Sequence, residues 1–493
     1  MASARSSSDV KDVLDFRPIL FITGVLMLLL AVAMCLPAIA DAAALNPDWQ
    51  VFVIAAGFTL FVGGILVLTC RGNIRTITPR QGFILTTTLW IIIPAFAALP
   101  FAFADLDLSY TDAFFESMSG LTTTGSTIIR YLDAAPPGIL IWRALLQWLG
   151  GIGVIAMAIA ILPLLRIGGM QLFRMESSDR SEKVLPRTTQ LVAYIAFIYL
   201  GASIVCAAAY WAAGMSGFDA VAHAMTTIAT GGFSTYNASL AHFKSAAIEY
   251  IGVAFMLIGS LPFVLYLRAI RGNPKPLIRD DQVRLFLLVV VIATLALACY
   301  RYDSGIDIAT ALREATFNVV SIITGTGYAT ADYGTWGPFA LTLFFFLMFI
   351  GGCAGSTTCG IKVFRFQVLY ATAVTQIRRL LEPHGVHIAY YNRRPIPEEV
   401  SASVMAFFFL YALSYCAIAI GLGLLGVDFL TAVSGAATAL SNVGPGLGET
   451  IGPARTFANL PDSAKWLLSA GMLLGRLELF TVIVLLIPSF WRD

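Results

Sequence analysis

Residues 122–127 read TTTGST, 230–235 TGGFST, 324–329 TGTGYA and 441–448 SNVGPGLG. Each of these turns closes a short stretch that begins near an acid: Asp112, Asp219, Glu314 and Asp428. Such a stretch, for example Asp112-Ala-Phe-Phe-Glu-Ser-Met-Ser-Gly-Leu, is too short to cross a bilayer as a helix and too apolar for an ordinary loop. An acid near the start suits a helix N-terminus, whose dipole favours negative charge by ~0.3–1 kcal/mol. The four stretches therefore predict half-helices that enter a membrane from one side and aim their C-termini at its centre.

An apolar span precedes and follows each turn, so the unit recurs four times, nearly evenly spaced when Gly125, Gly231, Gly327 and Gly444 are aligned. Stretches long enough to cross ~30 Å of hydrocarbon are expected at 18–40, 50–70, 82–104, 138–165, 189–213, 245–267, 285–302, 337–375, 400–425 and 465–490. The first two precede the repeats. The eighth is too long and carries a glycine-rich break, so it is expected to bend or split.

Composition agrees with a membrane setting and excludes a string of soluble domains. Charged residues make up 12% of the 493 and hydrophobic ones 58%, whereas a soluble domain carries ~25% charge. The 42 Gly and 34 Phe suit helices that approach closely in lipid. A net charge of +2 hides a segregation: with the N-terminus inside, most of the 31 lysines and arginines fall in loops on that same side. Both termini are then cytoplasmic. Pairs such as Arg378-Arg379 and Arg393-Arg394 set topology, and no nucleic-acid partner is expected. The acidic outer face would concentrate cations.

The seven cysteines lie in or beside apolar runs without a CxxC pair, which argues against a disulfide framework or zinc site. His384 and His387 share a loop but lack a nearby acidic ligand, so no membrane-enzyme centre or bound cofactor is expected. The first apolar run ends in Ala38-Ile39-Ala40, which resembles a signal-peptidase site. Its neutral leader and its length favour a retained helix.

Non-helical backbone at membrane depth is tolerated only when buried in protein or lining a watery cavity. Four such turns on one axis offer a ring of carbonyl oxygens to a dehydrated cation, and glycine permits the backbone angles that turn carbonyls inward. The candidate ring comprises Thr123, Thr124 and Gly125; Ala229, Thr230 and Gly231; Gly325, Thr326 and Gly327; and Asn442, Val443 and Gly444. Thr123 adds a hydroxyl and Asn442 an amide, while Ala229 and Gly325 add neither. Gly and Thr also recur at simple helix contacts; four equivalents at matched positions favour a pore.

With LLQWLGGIGV at 145–154, these motifs make residues 80–493 closely resemble the TrkH/TrkG/KtrB family of bacterial potassium uptake proteins. The two additional N-terminal spans resemble TrkH rather than the shorter KtrB. The resemblance implies an all-α polytopic fold of four M1–P loop–M2 repeats in pseudo-fourfold array around one pore per subunit. It also implies a potassium selectivity filter, a homodimer in the bacterial inner membrane, and a TrkA-like cytoplasmic nucleotide-binding regulatory subunit. This chain carries no GxGxxG fingerprint of its own. In plant relatives a serine at the first filter glycine accompanies sodium preference; glycine at 125, 231, 327 and 444 favours potassium. Ala229 and Gly325 depart from a uniform TVGYG-like filter, so a sodium-permeable pathway or a proton- or sodium-coupled symporter stays open. The expected divisions are 1–79 for the N-terminal helices and 80–187, 188–283, 284–399 and 400–493 for the repeats.

Two features lie beyond the turns. The run Gly351-Gly352-Cys353-Ala354-Gly355-Ser356-Thr357-Thr358-Cys359-Gly360 resembles the family's intramembrane loop, which blocks the pore under the filter and moves during gating. Its small residues would unwind cheaply, since glycine weakens a helix by ~1 kcal/mol. A passive kink and a phosphate loop are competing readings, although Ile361 displaces the lysine that GxxxxGK[ST] requires. Arg476 is a charge embedded in the last span, and such a charge normally pairs or faces a watery path. It matches the family's pore-facing arginine, which would lower cation occupancy and touch the gating loop; an ion pair with Glu478 or Glu449 is the alternative. Arg313 reads as a local partner of Glu314.

Overall fold

Long apolar runs, punctuated by proline and by serine or aspartate caps, divide the chain into helices. The structure, a computed structural model, describes residues 15–72, 78–160 and 188–492. The leader with Arg5 and Lys11 and the basic loop 166–187 lie outside the described residues. Among the described residues the one sheet is a two-stranded hairpin, Tyr390–Tyr391 with Arg394–Pro395.

Among the described residues, seven helices are long and apolar enough to cross a membrane: Arg17–Ala43, Trp49–Thr69, Pro79–Phe103, Pro137–Met157, Gln190–Ala212, Asp281–Asp303 and Glu398–Leu424. The expected spans at 245–267 and 465–490 are instead bent pairs, Ala246–Ser260 with Phe263–Ile270 at 95° and Asp462–Arg476 with Phe480–Leu486 at 108°. Pro262 explains the first break, because proline excludes the helical conformation at Leu261, whose ψ is 156°. The second lies at Glu478 and Leu479, which have φ of 62° and 45°. The over-long eighth stretch divides into Pro338–Leu347 and Val363–Leu381, separated by the 351–360 run. The chain is an all-α polytopic membrane protein.

Four half-helices, Tyr110–Leu121, Gly217–Ile228, Ile308–Ile323 and Phe429–Ser441, precede the turns. Ser109 forms a capping box with Asp112, Ser216 caps through the Asp219 N–H, and Asp428 is itself an N-cap. The third half-helix starts earlier than Glu314, at the Asp307 cap. Glu314 pairs with Arg301 at 2.7 Å, and Arg313 reaches Glu249 at 3.4 Å rather than Glu314.

The packing is cyclic. Pro137–Ala160 lies against its own half-helix and that of the second repeat; Ala246–Ser260 bridges the second and third in the same way, and Asp462–Arg476 the fourth and first. Glycine makes these approaches possible: a Cβ on Gly150 or Gly475 would overlap the carbonyl oxygen of Leu121 or Leu440 at a half-helix end. Outside this ring, Arg17–Ala33 packs on Trp49–Thr69, with Gly24 and Gly63 at the crossing. Asp41 accepts a 2.6 Å hydrogen bond from the Gly138 N–H, tying the N-terminal helices to the start of Pro137–Ala160.

Candidate ion-conduction site

Each half-helix ends in the same motif. The N–H of Thr124, Gly231, Thr326 and Val443 donates to the carbonyl five residues back, at Ser119, Thr226, Ser321 and Thr438. The preceding residue, Thr123, Thr230, Gly325 or Asn442, is left-handed with φ between 51° and 67° and donates three residues back. These are paired Schellman bonds. Left-handed φ costs a residue with a Cβ roughly 1–2 kcal/mol, and two of the four positions carry β-branched threonine.

This pattern corrects the alignment of the second turn by one residue. Gly232, with φ of 76°, is the equivalent of Gly125, Gly327 and Gly444 at 85°, 85° and 109°. Gly231 matches Thr124, Thr326 and Val443, and Ala229 is a helix cap matching Thr122 and Thr324. Adjacent glycines made the frame ambiguous in the sequence; the hydrogen bonds remove the ambiguity.

The four glycines also form a closed circuit. A Cβ on Gly125 would overlap the Gly231 carbonyl oxygen, one on Gly232 that of Thr326, one on Gly327 that of Val443, and one on Gly444 would lie 2.8 Å from that of Thr124. Every loop is thus seated against the carbonyl of the next, with no room for a side chain. Thr123, Thr124, Thr230, Thr326 and Asn442 are all at most 1% exposed. Between loops, Asn442 Nδ2 donates to Thr124 Oγ1 at 2.8 Å and Ser126 Oγ to the Gly444 carbonyl at 2.7 Å.

Each of the first three half-helices braces its own outgoing strand from the residue nine before the glycine. Glu116 accepts from the Ile128 N–H at 2.8 Å, the His223 ring meets Ser234 Oγ at 2.9 Å, and Asn318 Nδ2 donates to Thr330 Oγ1 at 3.1 Å. Glu116 also pairs with Arg143 at 2.7 Å, both at most 1% exposed. Arg143 donates in turn to the Ser234 carbonyl and lies 4.0 Å from the centre of the Phe233 ring. Sequence reasoning missed Glu116 and Arg143, although each is a charge inside an apolar stretch and could have been singled out as Arg476 was.

The 351–360 loop lies against the left-handed residues that open the first and second turns, Thr123 and Thr230. Its ends close on each other through Gly351 N–H to Ile361 O at 2.9 Å and Ile361 N–H to Phe349 O at 3.1 Å. Cys353 and Thr357 N–H groups donate to Ser260 and Gly259, the carbonyls that the Pro262 break leaves free. Thr230 Oγ1 is 3.2 Å from Thr357 Oγ1, and Cys359 Sγ is 3.8 Å from Thr123 Oγ1. Gly352, Cys353, Ala354, Thr358 and Cys359 are buried.

Arg476 is 3% exposed and donates to the Thr357 carbonyl at 3.3 Å, to Cys359 Sγ and to the Gly150 carbonyl at 3.2 Å. It pairs with neither Glu478 nor Glu449; Glu478 pairs with Arg365. Lys362 bonds Thr358, so two cations flank the loop. A cavity beneath it is lined by Ser356, Thr358, Cys359, Lys362, Arg476 and Glu478.

Among the described residues no cluster of three or more His, Cys, Asp or Glu side chains could hold a metal ion. The oxygens at the four turns are backbone carbonyls and hydroxyls, donors of the kind that suit a dehydrated monovalent cation.

Comparison with known proteins agrees with this arrangement. The TrkH family, described as "Cation transport protein", matches residues 48–492. The chain is 47% identical over 492 residues to the Trk system potassium uptake protein TrkI of Halomonas elongata, covering 99% of this chain and 100% of that one. It is 34% identical to the Trk system potassium uptake protein TrkG of Escherichia coli K12, covering 97% and 99%. The crystal structure of the potassium transporter TrkH from Vibrio parahaemolyticus superposes with a TM-score of 0.90 at 38% identity, covering 97% of this chain and 100% of that one.

Proposed function

This chain belongs to the TrkH family of cation transport proteins, and from that premise we propose that it takes up potassium through a filter made by its four loops. The observation that carries the reading is the closed circuit of glycines and carbonyls at Gly125, Gly232, Gly327 and Gly444. A ring of backbone oxygens replaces part of the hydration shell without fixed charge, so the ion enters and leaves readily. The half-helix C-termini add their negative dipole ends. The filter residues are Thr123, Thr124 and Gly125; Thr230, Gly231 and Gly232; Gly325, Thr326 and Gly327; and Asn442, Val443 and Gly444, with the repeats divided near 80, 188, 284 and 400.

The 351–360 loop acts as the gate and Arg476 as its latch. The reading is supported by the loop's contacts with Thr123 and Thr230 and by the arginine's hydrogen bonds to Thr357 and Cys359. A guanidinium there also opposes cation occupancy below the filter. The segregation of Lys and Arg supports a bacterial inner-membrane protein with both termini cytoplasmic. Family membership supports a homodimer regulated by a TrkA-like nucleotide-binding subunit.

Replacing Gly125 with Ser tests the filter. It adds a side chain where the Gly231 carbonyl sits, so potassium-over-sodium discrimination should fall several-fold in uptake assays on potassium-deficient cells. An unaltered ratio in a normally inserted variant counts against the filter.

A further inference from the structure

The second loop lacks a hydrogen bond that the first and third share. The first and third each carry two threonines that clasp one another, Thr122 with Thr124 and Thr324 with Thr326, both at 2.7 Å between hydroxyl oxygens. The corresponding residues of the second loop are Ala229 and Gly231, which have no hydroxyl. Gly231 is followed by Gly232, so this peptide unit has two glycine neighbours and the greatest freedom of the four to rotate.

A side chain from another repeat fills the gap. Gln147, on Pro137–Ala160 and fully buried, donates from Nε2 to the Gly231 carbonyl at 2.5 Å and accepts at Oε1 from the Phe233 N–H at 3.0 Å. Its amide thus bridges Gly232, holding the carbonyl of the Gly231–Gly232 peptide and the N–H of the Gly232–Phe233 peptide that follows it. The space is full: a Cβ on Gly231 would overlap the Gln147 amide carbon and oxygen. The carbonyl held in this way is the one against which Gly125 is seated, so the brace acts where the first and second loops meet.

We infer that Gln147 is a selectivity-determining positioning residue, which holds the Gly231–Gly232 peptide in the orientation that the ring requires. It touches the loop backbone rather than the ion, and the inference rests on the filter reading above. Without it the diglycine peptide can rotate, and a ring that adapts its size discriminates less between cations.

The test uses the full-length protein in potassium-deficient cells and in liposomes, reading the sodium-to-potassium permeability ratio against membrane abundance. Gln147→Leu and Gln147→Met keep the length or bulk and lose both hydrogen bonds. Each should raise the ratio several-fold with potassium flux retained. A wild-type ratio in these variants, while Gly125→Ser shifts it, overturns the brace and leaves the filter standing; if Gly125→Ser is also silent, the filter reading itself fails. A coupled pair guards against poor folding. Gly231→Ala alone should lose uptake, and Gln147→Ala with Gly231→Ala should recover part of it, because the new methyl enters the vacated space. A double variant no better than Gly231→Ala overturns the inference.

Discussion

Glu116 and Arg143 show what single residues contribute to the site. Both are withdrawn from solvent, and their mutual hydrogen bond at 2.7 Å is extended to Ile128 and Ser234, which lie on the outgoing strands of two different loops. Removing one member of a buried pair leaves the other charge uncompensated, at a cost of about 3–5 kcal/mol. Glu116→Ala should therefore lower the melting temperature of the purified protein in detergent markedly; unchanged melting would mean that the pair is dispensable. At this scale the sequence was only partly legible. The four turns could be found because one threonine- and glycine-rich pattern recurs at four matched positions, which simple helix contacts do not explain. The frame of the second turn could not, because Gly231 and Gly232 are adjacent and only hydrogen bonds to Thr226 and Thr227 tell them apart. Arg313 and Glu314, neighbours in sequence, point to different elements because successive helical residues do not face each other.

Among elements, the break in the third repeat is the feature with the most consequence. Pro338–Leu347 has 10 residues where Pro137–Ala160 in the first repeat has 24, and the 351–360 loop follows where that helix continues. It is held by hydrogen bonds from Cys353 and Thr357 to carbonyls that Pro262 leaves unpaired, and by Arg476. Shortening residues 353–359 should raise basal cation flux in vesicles; unchanged or abolished flux in a folded variant would oppose a gating role. Over-length and glycine content foretold this break. The bends at Leu261 and at Glu478–Leu479 were not foreseen, the first despite the visible Pro262, the second because no glycine or proline marks it and only the left-handed angles reveal it.

At the scale of the molecule, the repeats are drawn together because the helices after the first, second and fourth turns each pack on their own half-helix and on the next. The count of repeats and the class of fold were legible in composition and periodicity, whereas cyclic order depends on contacts between residues hundreds apart. A filter shared by four loops predicts linkage between ion binding and stability: a ligand that binds only the folded state at a hundredfold its dissociation constant adds about 2.7 kcal/mol. Melting should occur several degrees higher in potassium chloride than in lithium chloride of equal ionic strength, and equal melting would argue against a folded-state potassium site. The 351–360 loop, finally, belongs to one quadrant alone. A channel assembled from identical chains has as many obstructing parts as it has walls, and these can clear one after another through partial conductances. On the gating reading proposed above, one loop from one repeat does the obstructing, so a subunit would switch in a single step and its current would show no graded sublevels.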